Sequence, residues 1–264
     1  MDQQNTMGDG YDLGEHAKKR KSRWKISYPN MTTPEAEKRL GFRIRSLTTI
    51  PVAEMLKVED GQHILEGGDE KTLETKRMVY EQIVQYLEIE GEPTEADPDF
   101  KEGNINHLVY ATISPILRDF RRRTGRKNMQ LRSEKTIVST DGETGGKEEF
   151  VVMDLISVTE EKFVLVIEAK TSSLGEAMKQ CLLAMKDAWD NNGAGVMYGF
   201  VTTGESWRML RYDGESFEKT ERMDVLFETM GENQQRWMKD YSLLVDCMNV
   251  ALGDGGVVRE MVVG

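Results

Sequence analysis

Glu168, Ala169 and Lys170 close an unbroken apolar run, Phe163-Val164-Leu165-Val166-Ile167, and a second isolated acid, Asp154, stands upstream with thirteen residues between it and Glu168, among Phe150, Val151, Val152 and Ile156. Ionised groups beside a hydrophobic strand are costly unless they are paired or hold a cation. If residues 150 to 158 and 162 to 170 are two strands joined by the tight Thr159-Glu160-Glu161 connection, they form an antiparallel hairpin. A turn centred near 160 or 161 then sets residue 154 opposite about residue 167. On that register the Asp154 and Glu168 carboxylates share one hard cation such as Mg²⁺ or Mn²⁺. Two carboxylate ligands leave room for water and a phosphate oxygen, which is the arrangement for metal-assisted phosphodiester hydrolysis. Lys170 is the expected water-positioning base beside it. The competing reading of the triplet is a cross-strand ion pair on a sheet edge.

Glu-x-Lys alone carries little weight here, because Glu74-Thr75-Lys76 and Glu160-Glu161-Lys162 match it too. Those two fall on an expected exposed helix and in a turn, where charges need no explanation. Only Glu168-Ala169-Lys170 ends an apolar strand after a partnered acid.

The surrounding elements follow from periodicity. Apolar positions at helical spacing predict helices over 71 to 90, and from about Asn104 through Phe120. Ser114-Pro115 is expected to kink the latter or restart it. Residues 128 to 138 read as a strand, followed by an Asp141-Gly142 and Gly145-Gly146 loop. After the hairpin come a helix over 174 to 190, strands over 196 to 202 and 207 to 212, and a last helix over about 232 to 252. A short helix is expected at 34 to 40, started by Thr33-Pro34 and stopped by Gly41. The order from 104 to 212 is α-β-β-β-α-β-β.

That order, with Asp154 and Glu168-Ala169-Lys170, resembles the common core of the PD-(D/E)XK, or restriction-endonuclease-like, nuclease superfamily. Gln180, ten residues after Lys170, resembles the glutamine that several branches place on the next helix. Tyr198-Gly199-Phe200-Val201-Thr202-Thr203-Gly204 and Trp207 are similar to the strands that follow it. Met153 stands where the family's motif has proline. Many members add a Glu from the helix before the first strand; Glu102 and Glu81 are the nearest here, and neither is assigned to the site. The resemblance implies an α/β fold, an αβββαβ mixed sheet flanked by helices, with Asp154, Glu168, Lys170 and Gln180 in the catalytic set and Asp154 and Glu168 on the metal. It implies a Mg²⁺-dependent nuclease, with DNA favoured over RNA as the nucleic acid partner, and a homodimer as a common working form. A second expectation is a catalytically inactive module that keeps this fold to bind nucleic acid or protein partners.

Composition bounds these readings. The chain has 264 residues, 38% hydrophobic and 31% charged, with a net charge of −11. Such an acidic body argues against coating nucleic acid nonspecifically. Its basic residues are clustered, however: Lys18 to Lys25 around Trp24, and Arg118 to Lys135, in which Arg121, Arg122, Arg123, Arg126 and Lys127 are the expected backbone contacts. Cys181 and Cys247 lie apart without CxxC spacing, which argues against a zinc ribbon and for a reducing compartment. His107 reads as structural rather than as a ligand, and the 16 methionines as adaptable core filling. No apolar stretch is long enough to cross a bilayer and no secretory h-region is visible, so an intracellular protein, nuclear or cytoplasmic, is expected. Residues 1 to 70 are expected to form a largely flexible basic extension, and 71 to 264 the nuclease-like domain with its core at 104 to 212.

Overall fold

The computed structural model describes residues 23–57, 70–93, 100–157, 159–171 and 174–256. The chain opens with β1 (Ile26–Ser27), α1 (Thr33–Leu40), β2 (Thr48–Ile50) and the single turn α2 (Val52–Met55). Two long helices follow, α3 (Glu70–Glu90) and α4 (Glu102–Thr124), then three strands, β3 (Met129–Val138), β4 (Thr144–Leu155) and β5 (Glu161–Ala169). After α5 (Leu174–Asn192) come β6 (Met197–Thr202), β7 (Ser206–Tyr212), β8 (Phe217–Thr220) and β9 (Met223–Asp224), and the chain ends in α6 (Gln234–Asp240) and α7 (Leu243–Asp254). The α4-β3-β4-β5-α5-β6 succession has the α-β-β-β-α-β order expected from the sequence, in a mixed α/β sheet flanked by helices.

One mixed sheet runs β1-β4-β5-β6-β7-β8-β2, with β3 also pairing β4 and β9 pairing β7. The β3-β4-β5 meander is antiparallel, while β5 and β6 are parallel across the α5 crossover. Helices cover both faces. Helices α3, α4, α6 and α7 bury Phe150, Val152, Leu165 and Ile167. Helices α1 and α5 bury Val151, Met153, Val166 and Val201 on the other side. Helix α5 can lie close on β6 because Gly199 has no side chain: a Cβ there would stand 2.4 Å from the Met185 Sδ.

Three expectations change. Pro115 sits inside a continuous α4 without breaking it, and the last helix is divided between α6 and α7. Residues 23–57 are not a loose extension but part of the fold. Strand β1 pairs with the start of β4, β2 pairs with β8, and Tyr28, Met31, Ala36 and Leu47 enter the α5-side core. The Lys18–Lys21 run lies outside the described residues. Trp24 lies against Gly145.

Strand β4 starts six residues earlier than the apolar run suggests, and it changes face partway. Thr144 and Gly146 look toward α5, through a hydrogen bond to Asp187 and a contact with Tyr28. Farther along, Val151 and Met153 look that way. Strict alternation would not allow both sets on one face. Opposite the change, Glu134 of β3 takes a left-handed φ of 50°, between the paired positions Ser133–Phe150 and Lys135–Glu148. The local distortion leaves the adjacent Glu148 and Glu149 turned to different helices.

Candidate active site

The β4–β5 hairpin is centred lower than the turn residues suggested. Its register pairs Phe150 with Ile167 and Asp154 with Lys162, with an irregularity between Val152 and Met153. Asp154 is thus far along the strand from Glu168, and the two look to opposite faces of the sheet. Asp154 accepts from Arg126 Nη2 at 2.7 Å and Nε at 3.1 Å, and the same guanidinium donates to the Leu252 carbonyl at 2.9 Å. That is a structural clamp between the end of α4, β4 and α7. The expected Asp154–Glu168 metal pair is not formed, because the loop between the strands spans Ile156 to Glu160 and moves the hairpin centre toward 158.

The acids that meet Glu168 are Glu148 and Glu149. Below Phe150, β4 leaves β5 and continues beside β1. The fork so made holds Glu148, which is fully buried, and Glu168, which is 1% exposed. Their carboxyl groups are close enough that each affects the other's ionisation. Neither is supplied with enough donors: both Glu148 oxygens and Glu168 Oε2 are buried with no hydrogen-bond partner. Burial, with the Glu168 charge added, pushes the Glu148 carboxyl well above the usual range. Burial also raises Glu168, against the pull of Lys170.

Lys170 Nζ stands 3.1 Å from Glu168 Oε1, 2.5 Å from Glu102 Oε1 and 3.7 Å from Glu149 Oε1. Burial alone would lower its pKa, but the surrounding carboxylates outweigh that and raise it. It is therefore an ammonium that donates hydrogen bonds, not a free base. Glu149 accepts from Asn106 Nδ2 at 2.7 Å, and burial raises its pKa. Glu102 and Asn106 come from successive turns at the start of α4, whose N-terminus faces this acidic group. Gln180 is buried on α5, with its amide 3.5 Å from Glu176 Oε1. His107 is exposed and pairs with Glu90, outside the site.

Sequence reasoning misses Glu148 and Glu149 because they stand just before the apolar stretch that marks the strand, between it and the Gly145-Gly146 loop. A signal was present: two adjacent acids entering a strand whose partner ends in Glu-x-Lys. Glu102 was named only as the nearest upstream acid, and the fold brings it to Lys170.

The basic residues divide. Arg126 is used by Asp154; Arg123 is used by Asp119 and by Asn249, at 2.6 and 2.8 Å. Arg121 and Arg122 keep exposed guanidinium groups around contacts to the Lys127 carbonyl and Asp119, while Arg118 and Lys127 are exposed.

The donor set fits a divalent cation, although among the described residues no three His, Cys, Asp or Glu side chains stand together in ligating geometry. Mg²⁺ commonly takes only one or two carboxylates and completes its shell with water and phosphate. Three buried carboxylate oxygens without donors are what such an ion would satisfy.

These features define an α/β protein with a mixed sheet flanked by helices and a buried carboxylate pair beside a lysine. No protein-family model and no curated protein matches the sequence. Among solved structures, the chain is similar to one in a cryo-EM structure of a DrdV–DNA complex, at 10% identity and a TM-score of 0.38. The match covers 68% of this chain and 14% of the other. Among the described residues, no helix is long and apolar enough to cross a membrane.

Proposed function

We propose that the protein is a divalent-metal-dependent nuclease, with Glu148 and Glu168 as the metal-holding pair and Lys170 as the cationic partner of the reacting phosphate. The observation that supports this most is the pair of buried carboxylates with three undonated oxygens next to an ammonium. Two such groups repel and are costly to desolvate, so a fold that brings them together needs a cation or a shared proton to offset the cost. A cation there supplies a Lewis acid for a phosphoryl oxygen and for the attacking water. Lys170, kept protonated by Glu168 and Glu102, is placed to donate to a non-bridging phosphate oxygen and to neutralise charge that grows on it. Glu149, with its raised pKa and its Asn106 contact, is the carboxyl placed to orient or take a proton from water. Asp154 has no part in this reading.

The direct test is Mn²⁺-dependent cleavage of labelled single- and double-stranded DNA and RNA. Glu148→Gln, Glu168→Gln and Lys170→Ala should each abolish cutting, and Asp154→Asn should retain it. Loss of cutting in Asp154→Asn with full activity in Glu148→Gln would return the site to the other end of the hairpin. A folded wild type that cuts none of the four substrates would favour the inactive binding module. The tie between Lys170 and Glu102 gives that second reading its support, since it occupies the ammonium in the absence of substrate.

A further inference from the structure

An open basic groove of about 590 Å³ lies between α4 and β3. Arg118, Arg121, Arg122 and Lys127 line it, and no acidic side chain does. The polar floor is Gln130 of β3, and at the near rim stands Tyr110, an aromatic ring left 55% exposed. Asn106, which holds Glu149 in the fork, is one helical turn before Tyr110; Ser114, Arg118 and Arg122 continue the same i, i+4 row. Each step of four advances about 40° around the axis, so this row spirals along about 24 Å of α4, from Asn106 at the carboxylate site to Arg122 in the basic cavity. On a protein of net charge −11, a cavity lined by four cations, of which Arg122 is paired with Asp119, and by no acid is a local attractor for a polyanion.

We infer that this groove holds an unpaired nucleic acid strand, with phosphates in the Arg118–Lys127 cavity and a base stacked on Tyr110, and that the protein's preferred polymer is single-stranded. The aromatic ring argues for this: an exposed tyrosine offers a face to a splayed base, whereas a base inside a duplex is already stacked on its neighbours. The inference extends the nuclease reading, which leaves strandedness open, but the groove's chemistry stands without metal or catalysis.

The experiment is fluorescence anisotropy with labelled single- and double-stranded oligonucleotides of one sequence, in EDTA, on the full chain. Wild type should bind the single strand at least about tenfold more tightly than the duplex. Tyr110→Ala should weaken single-strand binding by roughly ten- to hundredfold, as loss of one stacking platform does. Tyr110→Trp should preserve it. Arg118→Gln with Lys127→Gln should weaken binding and flatten its dependence on salt by about 0.7 per lost phosphate contact. Equal or tighter duplex binding, or an unchanged affinity in Tyr110→Ala, overturns the inference. Binding that behaves as expected in a protein that cuts nothing upholds the groove and removes only the nuclease reading. Cutting that is indifferent to Tyr110, Arg118 and Lys127 does the reverse.

Discussion

Glu148 and Glu168 ionise less readily in the fold than in water. Both carboxyls are raised, by burial first, and Glu148 by its neighbour's charge as well. An unfolded glutamate titrates near 4.3, so above that pH the metal-free native state binds more protons than the unfolded chain. Unfolding free energy then falls as pH rises. Urea denaturation of the metal-free protein should show stability declining between about pH 5 and 8. Glu148→Gln should flatten that decline and gain on the order of 1 kcal/mol at pH 8. Mg²⁺ should raise the melting temperature of the wild type at pH 8 and leave Glu148→Gln and Glu168→Gln nearly unmoved. A pH-independent wild type, or a variant that responds equally to Mg²⁺, would count against a coupled metal-holding pair. Asp154 behaves oppositely. Its removal leaves Arg126 without its carboxylate, so Asp154→Ala should cost about 1–3 kcal/mol by chemical denaturation while the Mg²⁺ response persists. Loss of that response on a folded Asp154→Ala would place a ligand there after all.

At the scale of elements, the irregularity in the β3–β4 ladder decides which acids meet. Without it, strand alternation would send Glu148 to the α4 side with Phe150 and turn Glu149, two residues before Val151, toward Glu168 in its place. Glu134 supports the distortion from the left-handed region, where a side chain is strained and glycine is not. Glu134→Gly should therefore stabilise the protein by roughly 0.5–1 kcal/mol and keep its metal response; only an exposed pair with Lys147 is given up. A destabilised Glu134→Gly would mean that the strained residue is held by contacts worth more than its strain. This device was illegible in the sequence. Periodicity located β3, β5, α5, β6 and β7 within a residue or two, because each is a single apolar run bounded by turn residues. It placed Glu168 and Lys170 correctly at the end of β5. Register is another matter, since it rests on the hairpin's centre and on bulges, and the lower centre sets Asp154 opposite Lys162, six residues before Glu168. The short β1, β2, β8 and β9 were missed for a related reason: they are strands by virtue of their neighbours, with two to four residues of pattern each.

Across the whole molecule, the N-terminal segment is tied to the site through one buried acid. Asp187 on α5 is fully enclosed and accepts from the Tyr28 hydroxyl at 2.9 Å, Thr144 Oγ1 at 2.8 Å and Arg39 at 2.8 Å. Arg39 also reaches Asp141, so α1, the β3–β4 turn, the start of β4 and α5 share one network. The Tyr28 ring fills the space over Gly146, where a Cβ would meet it at 2.3 Å. Gly146 is two residues before Glu148 on the same face of β4, so the ring fixes the strand that presents the inner carboxylate. Two substitutions separate packing from hydrogen bonding. Tyr28→Phe keeps the ring and removes one donor, with two other donors left to Asp187; it should cost about 1–2 kcal/mol and leave the Mg²⁺-induced rise in melting temperature intact. Tyr28→Ala empties a buried aromatic site and should cost about 3–5 kcal/mol. It should also diminish the Mg²⁺ response, because β4 is then free to shift beneath Glu148. Calorimetry with and without Mg²⁺ on both variants reads the two effects together. If Tyr28→Ala folds and retains the full metal response, the N-terminal segment is a stabilising strap alone. If only Tyr28→Phe retains it, residues 23–57 belong to the active site's scaffold as much as the hairpin does.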